Sequence, residues 1–169
     1  MRTPARTRIA AAHALGQIGP GAREAVPALA RALGVEGRKR LSEEQLPEKV
    51  EAARALGQIG PGAQGAVPAL VGALGADHSV LREAAARALG QIGPGAQEAV
   101  PALVAATGGD SHAASPRGDV ARLEAVRALG QIGPAAHGAV PALERLAASG
   151  DPAELRDAAA QAIKRIASP

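Results

Sequence analysis

The stretch ALGQIGPGAREAVPAL, residues 14–29, decides the fold, because the chain repeats it. Near-identical copies begin at Ala55, Ala88 and Ala128, and a shorter, diverged copy, AIKRIASP, begins at Ala162. The copies start 41, 33, 40 and 34 residues apart, so long and short intervals alternate. Self-similarity at a period of roughly 20–50 residues is typical of repeat architectures. The alternation indicates that a unit of two repeats was duplicated.

Each copy predicts two helices. In the third copy, Ala85, Leu89 and Ile92 fall on one face of a helix, at the spacing of an amphipathic stripe. The dipeptide GP at positions 93–94 then ends this first-type helix and begins a second-type helix, because glycine follows helix ends and proline opens helices. Pro101 falls inside the predicted second-type helix, where it would remove a backbone hydrogen bond and bend the axis.

The sequence therefore predicts an all-α fold, an α-solenoid of tandem helix–turn–helix repeats with about four and a half repeats and nine helices. Residues 1–169 are expected to form a single domain. The last copy carries polar residues such as Lys164 and Arg165, as a capping helix requires. The expected repeats span 1–34, 42–75, 77–107 and 118–149, with a capping helix at 152–168 and loop insertions at 34–46 and 107–118.

The composition limits what this fold can do. The chain has no Phe, Trp, Tyr or Cys, so its core must consist of Ala, Val, Leu and Ile. The lack of Cys rules out disulfides and thiolate metal sites. The formal net charge is only +3, which is weak evidence for a nucleic-acid partner. No run of 18 apolar residues is present, so no transmembrane segment is predicted and the cytoplasm is the expected location.

The sequence contains no recognisable catalytic or metal-binding pattern. The histidines lack ligand spacing, and neither an HExxH motif nor a Cys/His cluster is present. No serine lies in a G-x-S-x-G context. The glycines of GQIGPG lack the strand and the lysine of a phosphate-binding loop. We therefore expect no catalytic residues, no cofactor, no metal and no enzyme activity.

Glycine and glutamine recur next to each other near the end of every first-type helix. The glycines stand mid-helix, which costs roughly 1 kcal/mol relative to Ala, so a neighbouring helix is expected to approach closely there. In the last copy the glycine is replaced by Lys164. The glutamines are expected to bind exposed carbonyls near the turn, although a recognition ladder is an alternative. The two columns are Gly16, Gly57, Gly90 and Gly130, and Gln17, Gln58, Gln91 and Gln131.

Two further columns identify the type of repeat. Eleven residues before the initial Ala stand Asp77 and Asp151, with Glu44 at this place in the second copy. An acidic turn residue, a basic residue early in the helix and the sequence A-x-A-L-G-x-I-G-P resemble the HEAT repeat family, and more narrowly the short HEAT-like repeats of phycobilisome lyases. The basic residues, six before each initial Ala, are Arg8, Lys49, Arg82, Arg122 and Arg156.

The resemblance implies that the basic column ties adjacent repeats together by pairing with the turn acid. Arg82 should pair with Asp77, and Arg156 with Asp151. The first and fourth copies lack this Asp, and Arg117 occupies its place in the fourth, so the ladder should be broken or rewired there. The other interpretation, a stripe that follows nucleic-acid phosphates, is weaker because repeat stability rests on neighbour interfaces.

The candidates for partner binding are positions that vary within the fixed framework or lack an expected partner. A second column, His13, Arg54, Arg87, Arg127 and Gln161, is expected to be solvated, unless Glu51 or Glu124 pairs with an arginine along the helix. Second-type helices usually line the concave face of α-solenoids, so their variable residues are contact candidates; neutral drift explains the variation equally well. These residues are Arg23, Glu24, Gln64, Gln97, Glu98 and His137.

Three hypotheses of function remain. The leading one is a monomeric, non-catalytic scaffold or adaptor that binds a protein or peptide through its concave face. The alternative is a nucleic-acid-binding module that uses an Arg-lined surface and the loop cluster at 38–40, against which stand the low net charge and the lack of aromatic residues. A lyase-type enzyme or enzyme subunit is the third, suggested only by the family resemblance, and fold analogy alone does not establish a function.

Overall fold

The computed structural model of the chain describes residues 4–34, 42, 44–108, 116–149 and 152–168, with the backbone alone described at 116–119. Within this part of the chain all regular structure is helical. Short 3₁₀ segments, labelled η, join the α-helices in pairs. The elements are α1 (Ala5–Ile18), η1 (Gly19–Ala25), α2 (Val26–Leu33), α3 (Leu46–Ile59), η2 (Gly60–Ala66), α4 (Val67–Leu74), α5 (Ser79–Ile92), η3 (Gly93–Ala99), α6 (Val100–Thr107), α7 (Pro116–Ile132), η4 (Gly133–Ala139), α8 (Val140–Ala148) and α9 (Ala153–Ala167).

The all-helical repeat architecture is confirmed, but its division into nine separate helices is not. In the described ranges η1–η4 join four pairs of α-helices directly, each through a glycine with positive φ, and α9 stands alone. The chain thus has five continuous helical segments there. The two loop insertions expected at 34–46 and 107–118 lie largely outside the described residues.

Glycine ends the first-type helices α1, α3, α5 and α7, as the sequence predicts. Gly93 has φ +72° and its N–H binds the carbonyls of Gly90 and Leu89, which closes the last turn of α5. Backbone with this positive φ is readily adopted only by glycine. The same conformation recurs in the other copies, at Gly19, Gly60 and Gly133.

The prediction that proline lies inside the second-type helices is wrong. Helix α6 begins at Val100, so Pro101 lies in its first turn, and the preceding residues 93–99 form the 3₁₀ segment η3. An N–H in the first turn of a helix has no acceptor within the helix. Proline therefore costs no hydrogen bond here and marks the start of the α-helix. Pro27, Pro68 and Pro141 take the same place in α2, α4 and α8.

The helices form two layers. The first-type helices pack side by side in the order α1, α3, α5, α7, α9, and the shorter second-type helices α2, α4, α6 and α8 pack against them. Between the layers lies a core of Ala, Leu, Ile and Val, in which Leu56, Ile59, Leu89 and Ile92 are fully buried. Thin layers of small side chains fill the space that aromatic rings occupy in most cores.

The glycine column explains how the first-type helices approach so closely, as expected from the sequence. A Cβ atom placed on Gly57 would lie 2.9 Å from Cα of Ala88, and one on Gly90 would lie 3.0 Å from Cα of Ala128. The backbone of one helix thus rests on the next at these points. In α9 the column holds the exposed Lys164, and no helix among the described residues packs beyond it.

Candidate functional site

The first basic column binds backbone carbonyls at the end of the preceding repeat. Lys49 Nζ donates to the carbonyls of Leu33 at 2.8 Å and Gly34 at 2.7 Å, where α2 ends. Arg122 Nε donates to the carbonyl of Thr107 at 3.1 Å, at the end of α6. The last carbonyls of a helix lack partners within it and carry partial negative charge. A cationic side chain from the next repeat donates hydrogen bonds to these carbonyls and also offsets their partial negative charge.

The expected pairing of this column with turn carboxylates is therefore wrong at the joint where it can be checked. Arg82 Nη1 donates to the carbonyls of Ala76 at 2.8 Å and Asp77 at 3.1 Å, whereas Asp77 is exposed and forms no ion pair among the described residues. The ladder is also not broken at the long-loop joints, because carbonyls at a helix end need no acidic side chain in the turn. Asp151 lies outside the described residues, so its pairing with Arg156 stays a prediction.

Arg8 stands first in the column and forms a two-pronged ion pair with α3. Its Nε and Nη2 donate to the two carboxylate oxygens of Glu48 at 2.6 and 2.7 Å. This hydrogen bonding holds the pKa of the Glu48 carboxyl below its ordinary value, against the opposing effect of desolvation. It also raises the pKa of the Arg8 guanidinium. The pair joins α1 to α3 while both side chains are charged.

The second column, expected to be solvated, forms ion pairs instead. We call it, with its acidic partners, the charged row. Between helices, His13 Nδ1 lies 2.8 Å from Glu51 Oε1, and Arg87 Nε lies 3.3 Å from Glu124 Oε2. Hydrogen bonding to Glu124 raises the pKa of Arg87. The residues of the charged row are His13, Glu51, Arg54, Glu83, Arg87, Glu124, Arg127 and Glu154.

Pairs within one helix complete the charged row, as the alternative interpretation of the sequence expected. Glu124, only 7% exposed, also accepts from Arg127 at 2.9 Å. Arg54 lies 3.7 Å from Glu51. These arginines are the ones that the nucleic-acid hypothesis requires on an open surface, and their pairing with carboxylates weakens that hypothesis. The basic cluster at 38–40, its other element, lies outside the described residues.

In the charged row, a glutamate of one first-type helix pairs with the preceding first-type helix only at every second joint. Glu51 faces His13, and Glu124 faces Arg87, of the preceding first-type helix. The equivalent residues of α5 and α9 are Ala84 and Ala158, which offer no carboxylate. The alternation follows the two-repeat unit seen in the sequence, and it leaves Arg127 with Glu154, 3.7 Å away and 73% exposed, as its acidic partner on α9.

Where the row weakens, a cleft opens between α7 and α9. It consists of two adjoining cavities of about 270 and 350 Å³, and Arg127 and Glu154 line both. The smaller one also holds Asp157, Gln161 and Arg165. The larger one adds the apolar Val120, Leu123 and Leu155. Sites for small molecules usually measure at least about 300 Å³ and are lined mainly by apolar residues with a few polar groups, so the larger cavity lies at the lower end of this range.

Sequence reasoning missed this cleft, although a signal was present. In α9 the position held by glutamate in α3 and α7 is Ala158, which lines the cleft together with Gly130. The loss of a carboxylate from one copy of a column was visible. Whether this loss leaves a cleft depends on how closely α7 and α9 pack. The sequence of a single repeat does not specify that distance.

The variable candidates of the second-type region lie in the 3₁₀ segments, not in α2, α4, α6 or α8. All are exposed and form no hydrogen bond or ion pair with other described residues. Adjacent copies are neighbours, because a Cβ on Gly62 would lie 3.4 Å from Cβ of Arg23, and one on Gly95 would lie 3.4 Å from Cγ of Gln64. We call this the 3₁₀ row: Arg23, Glu24, Gln64, Gln97, Glu98 and His137.

The glutamines do not bind turn carbonyls as expected. The side-chain amide oxygen of Gln58 lies directly over Gly16, and those of Gln91 and Gln131 lie over Gly57 and Gly90, where a Cβ atom would collide with them. The glutamine thus fills the space that the glycine of the preceding repeat leaves open.

Metal-binding and membrane-spanning features were also sought in the described ranges. No three or more His, Cys, Asp or Glu residues there are grouped so that they could hold a metal ion. None of the helices described is both long and apolar enough to cross a bilayer.

Comparison with known proteins supports the repeat type. The family model for HEAT repeats matches residues 38–117, and the model for the PBS lyase HEAT-like repeat matches residues 7–34 and 121–149. No curated protein sequence matches the chain.

Two solved structures resemble the chain along nearly its whole length. One is the complex of CpcE and CpcF of phycocyanin lyase from Nostoc sp. PCC7120, with 26% identity and a TM-score of 0.69 over 99% of this chain. The other is an engineered protein, with 27% identity and a TM-score of 0.63, again over 99% of this chain. The chain spans 66% of the matched chain in the Nostoc complex and 46% of the engineered protein.

These likenesses correct the expected function. A non-catalytic scaffold without enzyme activity was expected, but the chain resembles a component of a phycocyanin lyase and carries lyase-type repeats. The third hypothesis, a lyase-type enzyme or enzyme subunit, is the one they support. The family models thus identify HEAT repeats at residues 38–117 and repeats of the PBS lyase HEAT-like type at residues 7–34 and 121–149.

Proposed function

We propose that the chain is the HEAT-repeat subunit of a lyase and acts together with a second protein subunit. The observation that carries this proposal is the match of 99% of the chain to one chain of the phycocyanin lyase complex of CpcE and CpcF. The PBS lyase repeats at residues 7–34 and 121–149 support it from the sequence alone.

The cleft between α7 and α9 is our proposed site for the substrate. A lyase adds a group to a double bond or removes one, so it needs proton transfer and a way to hold its substrate. Glu154 and Asp157 offer carboxylates for a proton, and Arg127 and Arg165 offer guanidinium groups for an anionic substituent. Val120 and Leu123 add an apolar wall. Of these side chains only Leu123, which is 8% exposed, belongs to the core.

The 3₁₀ row is our proposed contact for a protein, either the second subunit or a protein substrate. It runs across the joined segments η1–η4, which belong to the single domain of four repeats and a capping helix proposed for this chain. Its members are exposed and bound to nothing else described. Arg23, Glu24 and Glu98 supply charge, and Gln64 and Gln97 supply amides. Such groups set the specificity of an interface more than its strength.

The proposal is tested by reconstitution. The purified chain is mixed with CpcE or with CpcF, and each mixture is passed over a size-exclusion column and then incubated with the phycocyanin substrate under lyase assay conditions. We expect a complex with one of the two proteins and a change in the absorption spectrum of phycocyanin. If the chain forms a complex with neither CpcE nor CpcF, and the spectrum of phycocyanin stays unchanged, the proposal is contradicted.

A variant separates the proposed site from the fold. Arg127→Ala should lower the rate of the spectral change at least about tenfold, because one lost charged contact in the transition state is worth more than about 1.4 kcal/mol. Arg145→Ala is the matched control, since Arg145 is an exposed arginine of α8 that binds only the carbonyl of Pro141 in its own helix. Equal rates for both variants would remove the cleft from the proposal.

A further inference from the structure

Arg127 pairs with two carboxylates that differ in distance and in burial. Glu124 accepts a hydrogen bond of 2.9 Å from Nη1 of Arg127, and its side chain is only 9% exposed. Glu154 lies 3.7 Å from Nη2 of Arg127, which is too long for a hydrogen bond, and its side chain is 73% exposed. The first carboxylate is therefore fixed, whereas the second is a loose counter-ion.

Glu124 is held from two helices. Its other oxygen, Oε2, lies 3.3 Å from Nε of Arg87 on α5, and Arg87 also pairs with Glu83 of the same helix at 3.1 Å. One buried carboxylate thus joins two guanidinium groups. Because a charge-assisted hydrogen bond restricts the geometry of an arginine as well as stabilising it, Glu124 fixes the place of Arg127 in the wall of the cleft.

The loose carboxylate belongs to the joint between α7 and α9. Glu154 stands where α5 and α7 carry Val80 and Val120. Helix α9 has Ala158 at the position of the charged-row glutamate and carries this carboxylate four residues earlier. Glu154 and Arg127 line both cavities of the cleft. Their contact is therefore made at the surface of the cleft and not inside the helix packing.

Arg127 has donors to spare beside an apolar wall. A guanidinium group carries five N–H donors, and within the described part of the chain Arg127 uses one of them in a hydrogen bond, to Glu124. In the larger cavity, of about 350 Å³, it lies in the same lining as Leu123 and Leu155. An anionic group attached to an apolar body matches this lining, because its oxygens accept from Arg127 while the body packs against the leucines.

We propose that an anionic group of the substrate, attached to an apolar body, binds Arg127 in place of Glu154, and that Glu124 is the positioning residue that holds Arg127 for it. The proposal rests on the proposed function of the cleft as the substrate site. Glu154 is displaced because an exposed ion pair contributes little free energy. Glu124 stays bound throughout, since breaking a buried pair costs far more.

Two related fluorescent probes test the site on the full-length chain alone. Anilinonaphthalene sulfonate has an apolar body and a sulfonate, and phenylnaphthylamine has the same body without the charge. Glu154→Gln should tighten binding of the sulfonate about two- to fivefold, because the competing carboxylate is lost. Glu124→Gln should weaken it at least about tenfold, because Arg127 is no longer held. Charge repulsion alone predicts tighter binding for both variants.

Glu51→Gln is the matched control, because Glu51 is the equivalent of Glu124 at the joint of α1 and α3 and lies outside the cleft. It should leave binding of the sulfonate unchanged. The uncharged probe should bind the wild type, Glu154→Gln and Glu124→Gln within about twofold of each other. A merely structural role of Glu124 would instead weaken both probes alike.

The outcomes are read after circular dichroism has shown which variants keep the helical content of the wild type. Unchanged or tighter binding of the sulfonate by folded Glu124→Gln would overturn the proposal, as would equal losses for both probes. If Glu124→Gln does not fold, Glu154→Gln decides alone, and binding that fails to tighten overturns the proposal. A wild type that does not bind the sulfonate overturns it as well. Neither a second subunit nor phycocyanin takes part, so these results are separate from the test of lyase activity.

Discussion

Gly57 and Gly90 set the distance between neighbouring first-type helices, because each rests against the backbone of the next helix. A built Cβ would lie 2.9 and 3.0 Å from the Cα atoms of Ala88 and Ala128. In an isolated helix glycine is worse than alanine by roughly 1 kcal/mol. The close contact reverses that preference, since backbone on both sides has little freedom to move.

Gly90→Ala is therefore expected to destabilise the chain despite the better helix propensity of alanine. Overpacking of a rigid contact typically costs about 1–3 kcal/mol, and urea unfolding followed by circular dichroism measures it. Gly65→Ala is the control, because a Cβ there meets nothing within 4 Å and its φ is not positive. Equal stability of the two variants would show that the joint is loose.

Lys49 makes the most buried of the inter-repeat caps, with 9% of its surface exposed. Lys49→Met keeps the aliphatic stem but leaves the carbonyls of Leu33 and Gly34 without their donor. We expect a loss of about 1–3 kcal/mol in the free energy of unfolding. Lys164→Met, at an exposed position on α9, should change it by under about 0.5 kcal/mol. Similar small effects for both would mean that water replaces the ammonium group without cost.

Glu48 makes the free energy of unfolding depend on pH. Its carboxyl has a pKa lowered by Arg8 in the folded state, from an ordinary value of 4.5. The ion pair therefore contributes above that ordinary value, and its contribution is lost as pH falls through the lower folded pKa. The melting temperatures of the wild type and Glu48→Gln should differ at neutral pH and converge in acid. A constant difference across this range would show that the pair does not act through charge.

At the scale of the helices, joints with a glutamate in the charged row alternate with joints that have alanine at the same position. Glu51 and Glu124 tie their helices to the preceding ones, whereas Ala84 and Ala158 do not. The cleft between α7 and α9 lies at a joint of the second kind. The cleft thus lies where Ala158 replaces the glutamate of the charged row.

Ala158→Glu should close the cleft. By analogy with Arg87 and Glu124, the new carboxylate would reach Arg127 and stabilise the fold by roughly 0.2–1 kcal/mol, the usual value of an exposed pair. We expect a slightly higher melting temperature together with a lower lyase rate. Ala160→Glu, on an exposed part of α9 outside the cleft lining, should leave the rate unchanged. A closed cleft with full activity would separate the cleft from catalysis.

The helices and their order could be predicted from the sequence. Each repeat contains an apolar stripe at helical spacing, a glycine that ends the first-type helix and a proline near the start of the second-type helix. The partners of Arg82 and Arg87 could not. Arg82 reaches carbonyls instead of the Asp77 carboxylate, and Arg87 reaches Glu124, 37 residues away. Such choices depend on the offset between neighbouring helices. The 3₁₀ segments were also missed, because glycine and proline mark a turn without specifying how tightly it winds.

At the scale of the whole molecule, the chain combines a repeated framework with two places that differ from it. These are the cleft between α7 and α9 and the exposed 3₁₀ row. The framework matches HEAT repeats at residues 38–117 and lyase-type repeats on either side. Stacking needs the framework in every copy, so a specific activity must come from the places where the copies differ.

Our central proposal is that this chain is a subunit of a lyase, and a titration of activity tests it most directly. The rate of the spectral change of phycocyanin is measured with a fixed amount of the partner subunit and increasing amounts of this chain. We predict no reaction without the chain, a linear rise, and a plateau when the two subunits are equimolar. A rate that is independent of the added chain would contradict the claim.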